Sequence, residues 1–170
     1  MLVFMLGCTG RDGSSVSQTR EGLPDQESWK VTITLTDAGV TRAIIRARHL
    51  EKYDNRQFIL LDDHVDADFF DELENHTTNL KSALAEIEEA SDFMRAMKNV
   101  VVVSDSGVTL YTDTLVWDSK EELIYTEVNV MLTTEEGDTL YGVGFESDIA
   151  LENWRILKPT GVTSIEEDGQ

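Results

Sequence analysis

Few side chains in this 170-residue sequence are equipped for covalent or metal chemistry. The histidines are His49, His64 and His76, and the only cysteine is Cys8. No G-x-S-x-G, H-E-x-x-H, Walker A or G-x-G-x-x-G pattern occurs, so nothing points to an enzyme. Gly142-Val143-Gly144 is a bare G-x-G, and on a strand that spacing marks a bulge or a close backbone approach. The densest polar run is Asp62-Asp63-His64-Val65-Asp66-Ala67-Asp68, with Asp71 and Glu72 beyond it. On an extended chain Asp62, His64, Asp66 and Asp68 share one face, and Leu61, Val65, Ala67 and Phe69 the other. Bunched carboxylates could hold calcium. Strand spacing makes a row of them rather than a cage, and the glycine of an EF-hand loop is missing. A solvated outer face is therefore the better reading, with no metal and no other cofactor expected.

Basic residues number only 14, yet Arg42, Arg46, Arg48, Lys52 and Arg56 lie close together. Arg42, Arg46 and Arg48 have the same parity and should project to one side of a strand, where they could receive phosphate or carboxylate. The competing reading is cross-strand pairing with the Asp62–Asp68 row.

Strands must position all of these groups. In Gly107–Asp148, the runs Val108–Trp117, Leu123–Thr133 and Thr139–Phe145 are rich in β-branched and aromatic residues, and Asp118-Ser119-Lys120 and Glu136-Gly137-Asp138 are turn formers between them. Alternation in the middle run predicts Val128, Val130 and Leu132 on a dry face and Glu127, Asn129, Met131 and Thr133 on a wet one. Upstream, Trp29–Thr36 alternates Val31, Ile33 and Leu35 against Lys30, Thr32 and Thr34. Asp37-Ala38-Gly39 is its turn, Val40–Leu50 the next strand, and Phe58–Phe70 follows a polar loop at Lys52–Gln57. The markers Leu110, Thr112, Trp117, Leu123 and Val130 recur at a spacing of about thirty residues, as expected of a stack of supersecondary units that cover one another. Asn79–Asn99 conflicts with this, because Leu80, Leu84, Ile87, Met94 and Met97 have helix-like spacing among good helix formers. The repeat instead makes it a hairpin turning at Glu88–Ser91, with Val100–Val103 as the following strand, and the hairpin is preferred.

The expected fold class is thus all-β, a stack of antiparallel hairpins with one continuous apolar interior. Phe58, Val65, Val100, Leu110, Leu115, Trp117, Leu123, Val130, Leu132, Leu140 and Phe145 are its expected lining. Such a stripe is commonly just a core. In a long stack of short hairpins it can also be an extended slot that accepts acyl chains, each buried methylene contributing about 0.8 kcal/mol.

An apolar content of 41% and only 2 prolines fit one folded domain. The formal charge of −19 excludes a broad nucleic-acid footprint, which needs clustered cations. The chain opens MLVFMLGCTG, an apolar run too short to span a bilayer and followed by small polar residues, like the end of a secretory signal. Leu6-Gly7-Cys8 resembles a bacterial lipobox, in which the cysteine is acylated. The expected organisation is a signal end at residues 1–8, a flexible linker at 9–27, a β-domain at 28–158 and an acidic tail at 159–170, with Pro159 ending the sheet.

The closing pattern Gly142-Val143-Gly144-Phe145-Glu146-Ser147-Asp148, followed by Leu151 and Trp154, resembles the LptC-type periplasmic component of lipopolysaccharide export, an OstA-like jellyroll family. The strands Leu110–Asp118 and Thr126–Val130 resemble that family's as well, and Lys98 stands at a turn where glycine would be expected. The resemblance implies an elongated twisted β-jellyroll, held at the inner membrane by lipidated Cys8 in place of the family's transmembrane helix. It also implies receipt of lipopolysaccharide from inner-membrane ABC transporter subunits, contacted around Trp29–Thr36, and delivery to a periplasmic jellyroll bridge protein. That partner would dock on the C-terminal edge at Gly142, Gly144, Glu146 and Trp154, while Arg42, Arg46 and Arg48 would meet lipid phosphates. Two other classes stay open: an interaction lipoprotein with a closed core, and a secreted hydrolase.

Overall fold

The computed structural model describes residues 22–91 and 93–163; Cys8, most of the expected linker and the end of the acidic tail lie outside the described residues. Nine strands follow one another: β1 (Gln26–Asp37), β2 (Val40–Tyr53), β3 (Phe58–Phe70), β4 (His76–Glu88), β5 (Phe93–Ser104), β6 (Thr109–Asp118), β7 (Leu123–Thr133), β8 (Thr139–Asp148) and β9 (Arg155–Thr163). They form one antiparallel sheet in sequence order, so every connection is a hairpin. Among the described residues the only helical element is a 3-10 turn at Asp54–Arg56. The Asn79–Asn99 segment is a hairpin after all, with Val100–Val103 inside β5 rather than on a separate strand. Pairing with β3 and β6 overrides its helix propensity.

The sheet is folded double along a line that crosses every inner strand. Register breaks fall between Arg46 and His49, Asp62 and Val65, Lys81 and Leu84, Met97 and Val100, Thr112 and Val116, and Thr126 and Asn129. Several residues on or beside this line are in the left-handed region, including Lys30 (φ 56°), Asp63 (φ 52°), Lys98 (φ 64°) and Gly144 (φ 79°). Bulges bend a strand, so each becomes two short straight arms. The inward parity shifts across the break on β2, β4, β6 and β8 and is kept on β3, β5 and β7. One half-sheet carries the β1–β2, β3–β4, β5–β6 and β7–β8 turns, and the other carries the remaining four.

The proof of folding is Phe69 against Trp117. In the plane of the sheet they lie three strands apart and at opposite strand ends, at least about 14 Å from one another. Their rings nevertheless meet edge to face with centroids 5.0 Å apart. The apolar faces of both half-sheets therefore look inward. Ile33, Ile45, Ala67, Leu80, Val102, Leu110, Leu132, Leu140 and Val162 form a cross-strand row on one. Ile59, Ile87, Met94, Trp117 and Ile124 form the facing row on the other.

Of the expected lining, Val65, Val100, Leu110, Leu115, Trp117, Val130, Leu132 and Phe145 are buried and Leu140 is partly buried against them. Three positions need correction. Phe58 and Leu123 belong to the outward row Phe58–Glu88–Phe93–Asp118–Leu123–Asp148, and their neighbours Ile59 and Ile124 face inward instead. Val128 is 41% exposed because the bulge between Thr126 and Asn129 interrupts the alternation that would have buried it. β9 runs through Pro159 rather than stopping before it. On an edge strand a residue without an N–H costs no ladder bond.

Candidate functional site

The two half-sheets meet tightly at one end of the interior and part at the other. At the closed end the β8–β9 loop folds over the facing half-sheet. Thr78 Oγ1 donates to the Ile149 carbonyl and Ser104 Oγ to the Ala150 carbonyl, both at 2.6 Å. Leu151 beside them is 1% exposed. These two hydroxyls satisfy loop carbonyls that burial would otherwise leave unpaired.

At the open end, beneath the free strand β1, lies a cleft of about 620 Å³. One wall is Ile33, Leu35, Thr36, Asp37 and Arg42 from the β1–β2 hairpin; the other includes Ile59, Ile87, Phe93, Met94 and Trp117. Strand parity places Ile33 and Leu35 inward, yet only partly buried, because β1 has no further strand outside it. The Phe69–Trp117 contact lies at the Trp117 wall, where the cleft meets the packed core. Its rim is charged: Arg42 pairs with Glu122 across the gap, and Lys52 Nζ lies 2.9 Å from Glu89 Oε1. Arg42 is bound by its partner with its side chain 16% exposed. The cleft is of ligand size, and an apolar floor under a charged rim suits an amphiphile.

The three arginines are not one island. Arg46 Nη1 is 2.6 Å from Asp68 Oδ2 and Arg48 Nη1 is 3.5 Å from Asp63 Oδ1, both on the outer face, whereas Arg42 turns to the cleft rim. The acidic row is thus answered by cross-strand cations and by Asn79, whose amide donates to Asp66 and Asp68. Partial burial acts to raise the pKa of Asp68, but the hydrogen bonds from Arg46 and Asn79 outweigh it and hold the carboxyl below its ordinary value. His76 is pushed the other way. Its hydrogen bond to Asp105 raises its pKa against some desolvation, and Asp68 adds to the effect. On the outer face of the other half-sheet a second hollow of about 600 Å³ contains Phe58, Phe93, Val116 and Tyr125 with Arg56 and Arg95.

The four residues expected at the C-terminal edge serve to seat β9. A Cβ at Gly142 would lie 2.7 Å from the Lys158 carbonyl oxygen, so only glycine allows this approach. Gly144 supplies a left-handed turn beside Leu157, Glu146 Oε2 accepts from Arg155 Nε at 2.9 Å, and Trp154 packs against the core. The free edge is β9 itself, as β1 is at the other end of the sheet. Sequence reasoning missed Ile59, Ile87 and Met94 as cleft residues. The available signal was period-two alternation. Ile59 has the parity of Leu61 and Val65, and Met94 that of Val100, while on β4 the alternation restarts between Ser82 and Ala85 and brings Ile87 inward.

A family model described as "Lipopolysaccharide-assembly, LptC-related" matches residues 14–163. Among solved structures, the fold is similar to that of LptH from Pseudomonas aeruginosa, described as the LptA homologous periplasmic component of the lipopolysaccharide transport device. The TM-score is 0.54 at 11% identity, covering 67% of this chain and 80% of that one. No curated protein matches the chain.

Proposed function

This chain belongs to the LptC-related family of lipopolysaccharide-assembly proteins, and we propose that the cleft beneath β1 receives the acyl chains of lipopolysaccharide. Its general role is in lipopolysaccharide transport as a periplasmic β-jellyroll component. The observation that carries the finer reading is the asymmetry of the interior: an apolar cleft of about 620 Å³ at one end and a loop stopper at the other. An acyl chain has no charge to oppose the field of a −19 protein, whereas lipid phosphates are repelled at long range. Affinity must then come from buried methylenes, at about 0.8 kcal/mol each. Phosphates would stay at the rim, where Arg42 is the nearest guanidinium. The inner-membrane ABC transporter subunits would meet β1, and the bridge protein would extend the sheet from β9, because both edges carry unpaired backbone groups. Cys8 would hold the lipid anchor in the inner membrane and residues 9–27 would be the tether.

A photo-crosslinking residue at Ile87 or Met94, in cells making lipopolysaccharide, should capture lipid, and one at Tyr111 on the outer face should not. Equal capture from all three, or none from the cleft, would remove the lipid path. A second reading has its own support in the fully packed interior beyond Trp117: a closed core whose edges bind proteins. In that case crosslinkers on β1 and β9 would trap proteins while cleft positions remain empty.

A further inference from the structure

The outer face of β1–β3 holds a cluster that the lipid path does not use. Glu27 on β1 and Glu51 on β2 are direct cross-strand partners, and His49 lies two residues from Glu51 on the same face. Like charges placed directly opposite one another destabilise a sheet. The Asp62–Asp68 row is answered by Arg46, Arg48 and Asn79; the charged partner that Glu27 finds is His49.

The geometry around His49 is that of an oriented ligand. Nδ1 lies 2.8 Å from Asp62 Oδ1, and Nε2 lies 2.9 Å from Glu27 Oε1. A neutral imidazole donates through one nitrogen only. Protonated, His49 donates to both carboxylates; a divalent cation can take the place of the Nε2 proton, with Nδ1–H kept on Asp62 and the Nε2 lone pair turned to the ion. A carboxylate behind one imidazole nitrogen and a free lone pair on the other is the usual backing of a metal-bound histidine. The second carboxylate is oriented too, since the Tyr53 hydroxyl donates to Glu51 Oε2 at 2.7 Å. The Trp29 ring packs on His49 with centroids 5.3 Å apart.

We propose that Glu27, His49 and Glu51 bind a divalent cation of the zinc class, with Asp62 and Tyr53 as positioning residues. One donor atom from each of the three lies within 4.8 Å of the others. A tetrahedral site with bonds of about 2.1 Å spaces its donors roughly 3.4 Å apart, so the widest pair must close by at most about 1.4 Å, while Glu27 Oε1 and His49 Nε2, now 2.9 Å apart, must part by about 0.5 Å. Two carboxylates and a neutral imidazole cancel the ion's charge. The nitrogen donor favours zinc over calcium, which takes oxygen. Three protein ligands leave one position for water or for a group from a partner. Because Glu27 sits near the start of β1, the ion would clip the free edge strand to its neighbour where the chain enters the sheet.

The test is to titrate the chelator-stripped full chain with zinc chloride, followed by calorimetry and by Trp29 fluorescence, with Trp29→Phe assigning the signal. One zinc per chain is expected, with quenching or enhancement that Trp29→Phe removes. Glu27→Gln, His49→Ala and Glu51→Gln should each weaken binding at least about tenfold, and Asp62→Asn about 10- to 100-fold. His64→Ala and His76→Ala should leave it unchanged. If His49→Ala loses its β-sheet circular dichroism, the two isosteric glutamine variants carry the test. Zinc binding unaltered by Glu27→Gln and Glu51→Gln, no saturable binding, or calcium competing at equal concentration would each overturn the assignment.

Discussion

Replacing Gly142 with alanine tests how the last strand is seated. The new Cβ would lie 2.2 Å from Ile156 Cγ2 and 2.7 Å from the Lys158 carbonyl oxygen. The methyl group can swing aside, but the carbonyl is backbone and retreats only with β9. Restoring ordinary van der Waals contact requires a displacement of about 0.7 Å. Overpacking of this kind costs about 1–3 kcal/mol. Gly142 is outside the left-handed region, so alanine recovers about 0.4–1 kcal/mol from the unfolded chain. A net loss of up to about 2.6 kcal/mol follows, near about 1.3 kcal/mol at mid-range, which lowers Tm by about 3–5 °C at that mid-range value in a chain of this size. Circular dichroism melts give the total, and native-state hydrogen exchange locates it: amides of Arg155–Thr163 should exchange faster while those of β3–β5 keep their protection. Gly161→Ala is the control, because it lies on β9 itself with nothing within 4 Å of its Cβ. It should be neutral or slightly stabilising. Equal melts for Gly142→Ala and Gly161→Ala, with β9 protection intact, would refute the argument that close approach at Gly142 holds the strand.

Four further outcomes follow from the geometry. Ile33→Asp puts a charge on the half-exposed wall of the cleft and should abolish lipid crosslinking from Met94, with a melt within about 1 kcal/mol of wild type since β1 is an edge. Thr78→Val leaves the Ile149 carbonyl without its donor and should cost about 1–3 kcal/mol, with faster exchange confined to the β8–β9 loop. The folded-state pKa of His76 is raised, so its protonated form is the one the fold favours. Its contribution is full below the ordinary histidine value and disappears as pH rises through the raised one. Stability should therefore fall slightly between about pH 6 and 8, by less than about 1 kcal/mol for so exposed a pair, and less in His76→Ala. Arg42→Ala should weaken lipid capture only modestly, because methylenes and not phosphates supply the affinity; a complete loss would reverse that ranking.

Strand identity was legible in the sequence because period-two alternation and turn chemistry are local. Phe58–Phe70 and Leu123–Thr133 were read with the boundaries that the fold shows, and the helix-like Asn79–Asn99 yielded to the thirty-residue repeat. The glycine expected at Lys98 came from the family resemblance, and that residue does adopt a left-handed backbone at φ 64°. The inward face was less legible. Ile59, Leu61, Val65, Ala67 and Phe69 keep one parity along β3, as Ile124, Thr126, Val130 and Leu132 do along β7, so alternation pointed to Ile59 and Ile124 while the repeat markers pointed to Phe58 and Leu123. Only Val128 is turned out by its bulge. Only the tertiary structure decided which ends of the sheet meet. Phe69 against Trp117, Arg42 against Glu122 and the cleft between them come from folding the whole sheet double. That fold is the sum of small bends at each strand's register break, and the sum exists only once all the strands are paired.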